Sequence, residues 1–463
     1  MKTKFDRKKF IKMVVAIALP VALQNLLSTT GSMVDTMMIS SLGETKVAAV
    51  GICTQFASLL FSSYWGFVGG GMLFFGQYWG AKDDEGLTRS YGMMITCMMT
   101  VAFIFAGAAL FLPEVVMTLY TDKVSIREIG IEYLSVVGLA YPMQVLSIGM
   151  SALLRTTDRV TIPLYAAIAS VCTNLFFNWV FIFGNLGAEA MGVRGAALAT
   201  TIAAFVNMAL TLVLAKAAGY KYLFRFRGFF KWDSAFIKLF LKKCFPIICN
   251  ELLAGVGNLI IGIVMGRQSE PAIAAIAVFR TFEGLVIGFF AGFSNAASVL
   301  VGTCVGAGET DVAYERAKRL VTMCQCCIFA VVALMLALHT PLLALMHLSG
   351  ESFYYGTGML IIYGIAAVIR MGNWTMNDTC RSAGDATTGT VMEIAFMYAL
   401  IMPAVCLTGF LFKSPVLVIF TMCYIDEPIR YFLMRRHINS GKWIRPVTEQ
   451  GRIGLEKWKA DRQ

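Results

Sequence analysis

The sequence predicts an all-α integral membrane protein with twelve transmembrane helices in two pseudo-symmetric six-helix lobes around a central cavity. Three observations lead there. Hydrophobic residues make up 58% of the chain and charged residues 14%, against about 25% charged in soluble domains. Apolar runs long enough to cross a bilayer recur about twelve times, separated by charged or Gly/Pro punctuation. The second half of the chain repeats the first at one fixed offset.

Taken in order, the spans are expected near 13–40, 47–76, 91–112, 132–154, 160–184, 195–215, 244–266, 272–301, 321–344, 355–380, 387–411 and 415–434. The basic N-terminus followed by an apolar run resembles a signal peptide. That run is too long, lacks a clear small-residue cleavage site and leads straight into further spans, so it reads as a retained first helix. The domains expected are a cytoplasmic segment (1–12), a first lobe (13–215), a basic amphipathic cytoplasmic linker (216–243), a second lobe (244–434) and a cytoplasmic tail (435–463).

Basic residues orient the spans. With the N-terminus in the cytoplasm, 31 of the 39 Lys and Arg fall on the cytoplasmic side and 6 outside. The remaining two, Arg280 and Arg370, lie within spans. This obeys the positive-inside rule, with both termini cytoplasmic in a multi-pass plasma membrane protein. The net charge of +11 is then topology, and no nucleic-acid partner is implied. The linker mixes Phe, Tyr and Trp with Lys and Arg, as a segment lying on the anionic leaflet does.

Adding 226 to a first-half position finds its counterpart. Pro20 goes to Pro246, Gly31 to Gly257, Phe56 to Phe282, Gly76 to Gly302, Gly138 to Gly364 and Arg155 to Arg381. Each half holds an even number of spans, so both enter the membrane in the same direction and are related by an axis along its normal. Two such lobes are an architecture for alternating access.

If symmetry builds the lobes, unshared polar residues mark chemistry. Gln24, Ser28, Gly31 and Asp35 share one stripe of the first span. A carboxylate at membrane depth costs several kcal/mol on most scales and turns toward protein or water. Asp35 maps to Ile261, and Asn174 and Asn178, four apart on the fifth span, map to Leu400 and Ala404. In the second lobe Glu251, Arg280, Glu283, Arg370 and Asp378 map to Asn25, Thr54, Ala57, Gln144 and Ala152. Arg280 and Glu283, three apart, are placed to neutralise one another. Glu251 lies early in its span, and Asp378 and Arg381 close theirs near the cytoplasmic surface. Asp35 with the two asparagines is the leading cluster. A carboxylate plus amide oxygens suits a hard cation such as Na⁺, and a carboxylate alone can carry a proton. Neutralising Asp35 by either route would favour one conformation and couple an ion gradient to the cavity.

The 12 cysteines sit mostly in apolar runs and count as small apolar residues. The three histidines, His339, His347 and His437, lie near span ends or in the tail, and there is no Ser/Lys constellation, so an enzyme is not expected.

The pattern P-x₃-QNLL…VDTMMISSLGETKVAAVG, with GQYWGAKD, LLRTTD, NLFFNWVFIFG and GVRGAALAT, resembles the multidrug and toxic compound extrusion (MATE) transporters across nearly the whole chain. The resemblance implies secondary active export of amphipathic, mainly cationic compounds in antiport with Na⁺ or H⁺. Asp35 falls on the family's first-helix carboxylate and Asn174 on its fifth-helix asparagine. Asn178 stands where many members have aspartate, which removes one charge from a Na⁺ site of Asp35, Asn174 and Asn178. Thr200 or Thr201 would be a further ligand, Pro20 the bend of the first helix, and Glu251 and Asp378 second-lobe carboxylates that some members use. The implied partners are small amphipathic substrates and membrane lipids, with a monomeric chain and no cofactor besides the coupling ion. Met37, Met38, Tyr64 and Trp65 suit any apolar compound. The alternative is a flippase for lipid-linked sugars of the wider superfamily, which needs a strongly basic cavity. The span charges here are slightly acidic in balance.

Overall fold

A computed structural model describes residues 7–346 and 348–461. Residues 1–6 of the N-terminal segment, His347 and the last two residues of the tail lie outside the described residues. The described chain is helical. In order the helices are α1 (Arg7–Ser40), α2 (Glu44–Gly80), α3 (Asp84–Phe111), α4 (Pro113–Tyr120), α5 (Val124–Val137), α6 (Ala140–Thr156), α7 (Thr161–Phe183), α8 (Val193–Ala217) and α9 (Phe226–Phe229). There follow α10 (Ser234–Met265), α11 (Glu270–Gly306), α12 (Thr310–Ala337), α13 (His339–Leu345), α14 (Gly350–Ser382), α15 (Thr388–Phe396), α16 (Met402–Cys406), α17 (Val416–Met422), α18 (Glu427–Ser440) and α19 (Glu449–Ala460).

Ten helical stretches among the described residues are long and apolar enough to cross a membrane, and α5 with α6 makes an eleventh, bent by 50°. The fourth span, expected over 132–154, is this bent pair. Pro142 has no N–H to offer the carbonyl of Gly138, and its ring crowds that carbonyl, so the helix breaks there. The span 387–411 contains π-helical turns at Met397–Ile401 and Leu407–Leu411 on either side of Pro403, the same missing donor absorbed more gently. The twelfth stretch is broken between α17 and α18, where Asp426 and Glu427 interrupt the apolar run.

Within the residues expected as linker, α10 begins at Ser234 and carries residues 234–243 as its first turns. Glu251 lies about midway along this 32-residue helix, early in the apolar stretch expected to cross the membrane. Among the described residues of the tail, α18 continues past 434 to Ser440, and α19 follows.

The helices form two compact units. One contains Leu19–Phe75 and Asp84–Phe240. Its helices α7 and α8 pack closely, with Gly195 against the backbone of Phe181. Tyr91 and Phe229 meet edge to face and bring the linker under α3.

The other unit contains Leu241–Gln463 together with Gly76–Asp83 and the described part of Met1–Ala18. The C-terminal end of α2 thus groups with the second repeat, where a simple division at the linker would place it with the first. The cause is a crossing at which glycines let backbones touch. Gly76 rests on Gly302, its counterpart at the 226 offset. A Cβ on Gly80 would fall inside the backbone of Thr303, and one on Gly306 inside that of Gln77. Because Thr303 and Gly306 are the counterparts of Gln77 and Gly80, this contact is reciprocal. Gln77, fully buried, donates to the Ser382 carbonyl (3.0 Å) and accepts from the Val447 N–H (2.7 Å). The tail covers the same place. Trp443 and Trp458 join a buried cluster with Val301, Val305, Tyr314, Met376 and Ile438.

The helix α1 runs unbroken through Pro20, although Pro20 cannot bond the carbonyl of Ala16. The chain passes from one unit to the other between Ala18 and Leu19, next to this weakened turn.

Candidate functional site

The first site lies on α1, α7 and α8 within one unit. Of the α1 stripe, Gly31 is buried against Val171 of α7, so the two helices approach closely there. One turn further out, Asp35 meets α7. Asn178 Nδ2 donates to Asp35 Oδ1 at 2.5 Å and to Asn174 Oδ1 at 3.2 Å. Asn174 Nδ2 in turn donates to Thr200 Oγ1 at 3.4 Å. The sequence-derived cluster of Asp35, Asn174, Asn178 and Thr200 is thus one connected network. Thr201 points elsewhere, donating to the carbonyls of Ala197 and Val136. Ser28 bonds its own helix at Gln24.

Sequence reasoning missed Tyr133. It is buried on α5 and interacts with Thr200 and with the Asp35 charge. It lies on a helix that carries none of the other members of the network, and no spacing in the sequence signals the meeting.

Asn178 is fully buried, and its carbonyl Oδ1 has no hydrogen-bond partner. Its Nδ2 faces the carboxylate while this acceptor is left over. Turning the amide over would present Oδ1 beside Asp35, an arrangement that repels unless a cation sits between them. The donor set fits a hard cation in that rotamer, held by Asp35, Asn178, Asn174 and Thr200 oxygens. No group of three His, Cys, Asp or Glu able to hold a metal occurs among the described residues.

The repeat supplies a second locus. In the first half Arg155 Nη2 donates to Gln24 Oε1 at 2.6 Å. Their counterparts are Arg381 and Asn250, and between these stands Glu393. Asn250 and Asn377 donate to Glu393 Oε2 at 3.1 and 3.3 Å, and Arg381 lies 3.9 Å from it. Asp378 accepts from Ser294 and pairs with Arg381 at 3.6 Å. Glu251 feels the charges of Arg381, Glu393 and Asp378. Two carboxylates, Asp378 and Glu393, therefore flank one guanidinium, with Glu251 within electrostatic reach. Glu393 was overlooked, although the offset that exposed the other acids pairs it with Ala167.

Arg280, Glu283 and Arg370 form a third group. Glu283, expected to pair with Arg280 alone, is shared: its Oε2 accepts from Arg280 (2.9 Å) and its Oε1 from Arg370 (2.8 Å). Arg370 is further held near Glu427 at 3.8 Å and stacks over Trp374 and Tyr424. Among the apolar residues expected to suit substrate, Met37 is exposed and Tyr64 is buried.

Two repeated helical halves, each with charged groups buried among apolar helices, and an Asp35–Asn178–Asn174–Thr200 network with no counterpart in the second half define a duplicated polytopic membrane protein. The MatE family model matches residues 20–180 and 246–422, two segments that begin at Pro20 and Pro246, one offset apart, and the chain belongs to that family. It is 22% identical over 411 residues to the uncharacterized transporter YisQ of Bacillus subtilis, covering 89% of this chain and 90% of YisQ. It is also 22% identical over 391 residues to the probable multidrug resistance protein YoeA of the same organism, covering 83% and 84%. Its fold is similar to that of the Vibrio cholerae MATE transporter VcmN in an aspartate-to-asparagine mutant form. The TM-score is 0.83 at 16% identity, over 94% of this chain and 97% of that one.

Proposed function

We propose that the chain is a secondary active multidrug efflux transporter of the plasma membrane. It exports amphipathic, mainly cationic organic compounds by alternating access, in antiport with Na⁺ or H⁺. The observation that carries this reading is the Asp35–Asn178–Asn174–Thr200 network inside membrane helices. Membership of the MatE family and the likeness to YoeA support it.

Asp35 is the ion-binding group. Loss of its negative charge, by protonation or by a bound cation, changes what Asn178 does. A proton leaves one carboxyl oxygen still able to accept from Asn178 Nδ2, so the hydrogen bond survives. A cation requires the amide to rotate, so the hydrogen bond is lost. Either change alters how α1 is tied to α7, and α1 is the helix whose weakened turn at Pro20 adjoins the passage between units. The basic linker lies on the cytoplasmic leaflet, with Phe226 and Phe230 exposed to acyl chains and Arg227 to headgroups.

The test is accumulation of ethidium in cells that express the wild-type chain or Asp35→Asn at matched levels. The reading requires the wild type to lower accumulation and the variant to lose most of that effect. Equal export by both would remove Asp35 from the mechanism.

A further inference from the structure

Resting on that reading of a drug exporter, we propose that Arg280 is a specificity-determining residue that receives the carboxylate of zwitterionic amphiphiles. The carrying observation is a half-exposed guanidinium at membrane depth beside open space.

Arg280 is ten residues along the 37-residue α11, and its side chain is 54% exposed. A guanidinium facing lipid there would turn outward to the headgroups. This one turns inward instead, onto Glu283, one turn deeper. Two of its four helical neighbours are small. Ala277 and Gly284 flank it at i−3 and i+4, and a Cβ added at Gly284 would meet nothing within 4 Å. The space beside the guanidinium is therefore open.

The nearby acids do not satisfy it. Glu283 divides its two oxygens between Arg280 and Arg370. Glu427 accepts from Arg430 at 2.8 Å and from Asn373 at 2.6 Å, and Asp426 pairs with Arg430 at 3.4 Å. One N–H of Arg280 is engaged with Glu283, and its others have no partner among the described residues. Arg370 is different: it is enclosed by Glu283, Glu427, Trp374 and Tyr424. Of the two intramembrane arginines, one is committed to structure and the other has donors to give. A planar guanidinium with adjacent free N–H groups matches a carboxylate.

The experiment measures binding of two xanthene dyes to the purified full-length protein, one with a free benzoic acid group and one with that acid as its ethyl ester. Both are cationic in the ring system, so the pair isolates the carboxylate. The ratio of their affinities is the readout. In Arg280→Gln the ratio is expected to move about tenfold against the acid, and Arg280→Lys is expected to restore part of it. An unchanged ratio in both variants, or equal loss of both dyes in both variants, would overturn the proposal and make Arg280 a structural partner of Glu283. Export of the ester by cells carrying the wild-type chain is scored separately. Failure there counts against the efflux reading, while the binding ratio still decides the role of Arg280.

Discussion

Asn178 Nδ2 lies 2.5 Å from Asp35 Oδ1 while the other atom of the same amide, Oδ1, is buried without a partner. One side chain thus holds the carboxylate by its donor and keeps an unused acceptor in reserve. On the proposed antiport reading, which of the two faces Asp35 would separate a proton from a metal cation as coupling ion.

Asn178→Asp converts the reserve acceptor into a second carboxylate and removes the donor. Two carboxylates at this distance repel unless a cation or proton lies between them. Transport by this variant is expected to become Na⁺-stimulated, or more strongly so. Dye export measured in Na⁺-containing and Na⁺-free buffer at one pH checks it, and identical rates in the two buffers would contradict the ligand geometry.

Glu283→Gln leaves Arg370 inside the second-repeat unit with its closest carboxylate gone. Breaking a buried pair in this way costs about 3–5 kcal/mol in soluble proteins. Thermal unfolding in detergent should show a clearly lowered melting temperature. Arg280→Gln, which removes the half-exposed partner, should lower it far less. Equal shifts would mean that Glu283 serves both arginines alike.

The crossing of α2 and α11 admits no side chain. Gly306→Val would press two methyl groups into the Gln77 backbone, and overpacking of this kind costs about 1–3 kcal/mol or more. The variant is expected to express poorly or melt early. A substitution at Gly284, where space is open, should not. Comparing the melting temperatures of Gly306→Ala and Gly284→Ala gives the mildest form of the test.

Acid stability turns on Asp385, in the loop between α14 and α15. It is fully buried, and burial alone would push its carboxyl up. His437 at 2.8 Å, the Thr388 hydroxyl at 2.8 Å and Arg445 at 3.1 Å outweigh that and hold it below the ordinary value of 3.8. A lowered carboxylate contributes stability above its unfolded value, and loses it as pH falls from there through the folded value. The melting temperature should therefore drop below about pH 4 in the wild type. In Asp385→Asn it should start lower at neutral pH and lose this acid limb. A variant with the same acid limb as the wild type would show that Asp385 is not the titrating group.

Much of the fold was legible because membranes impose simple rules: hydropathy located the spans, and one offset located the repeat. What escaped was local. The bend at Pro142 was hidden in an apolar run, and the approach of Tyr133 on α5 to Thr200 has no sequence signal. The early start of α10 was masked by its basic first turns, which read as linker. The first site was visible because Asp35, Asn174 and Asn178 are polar residues in apolar spans with no counterpart in the repeat. The sharing of Glu283 between two arginines was not, since Arg280 lies at helical spacing from it and Arg370 is 87 residues away. The order of the tail around Trp443 also went unread, because a charged segment after the last span carries no hydropathy signal.

The most direct test of the account is dye transport in proteoliposomes with a Na⁺ gradient and a pH gradient imposed separately. The wild-type chain is expected to move dye against its concentration with at least one of them, and Asp35→Asn with neither. Gradient-driven transport that persists in Asp35→Asn, or wild-type transport that ignores both gradients, would contradict it.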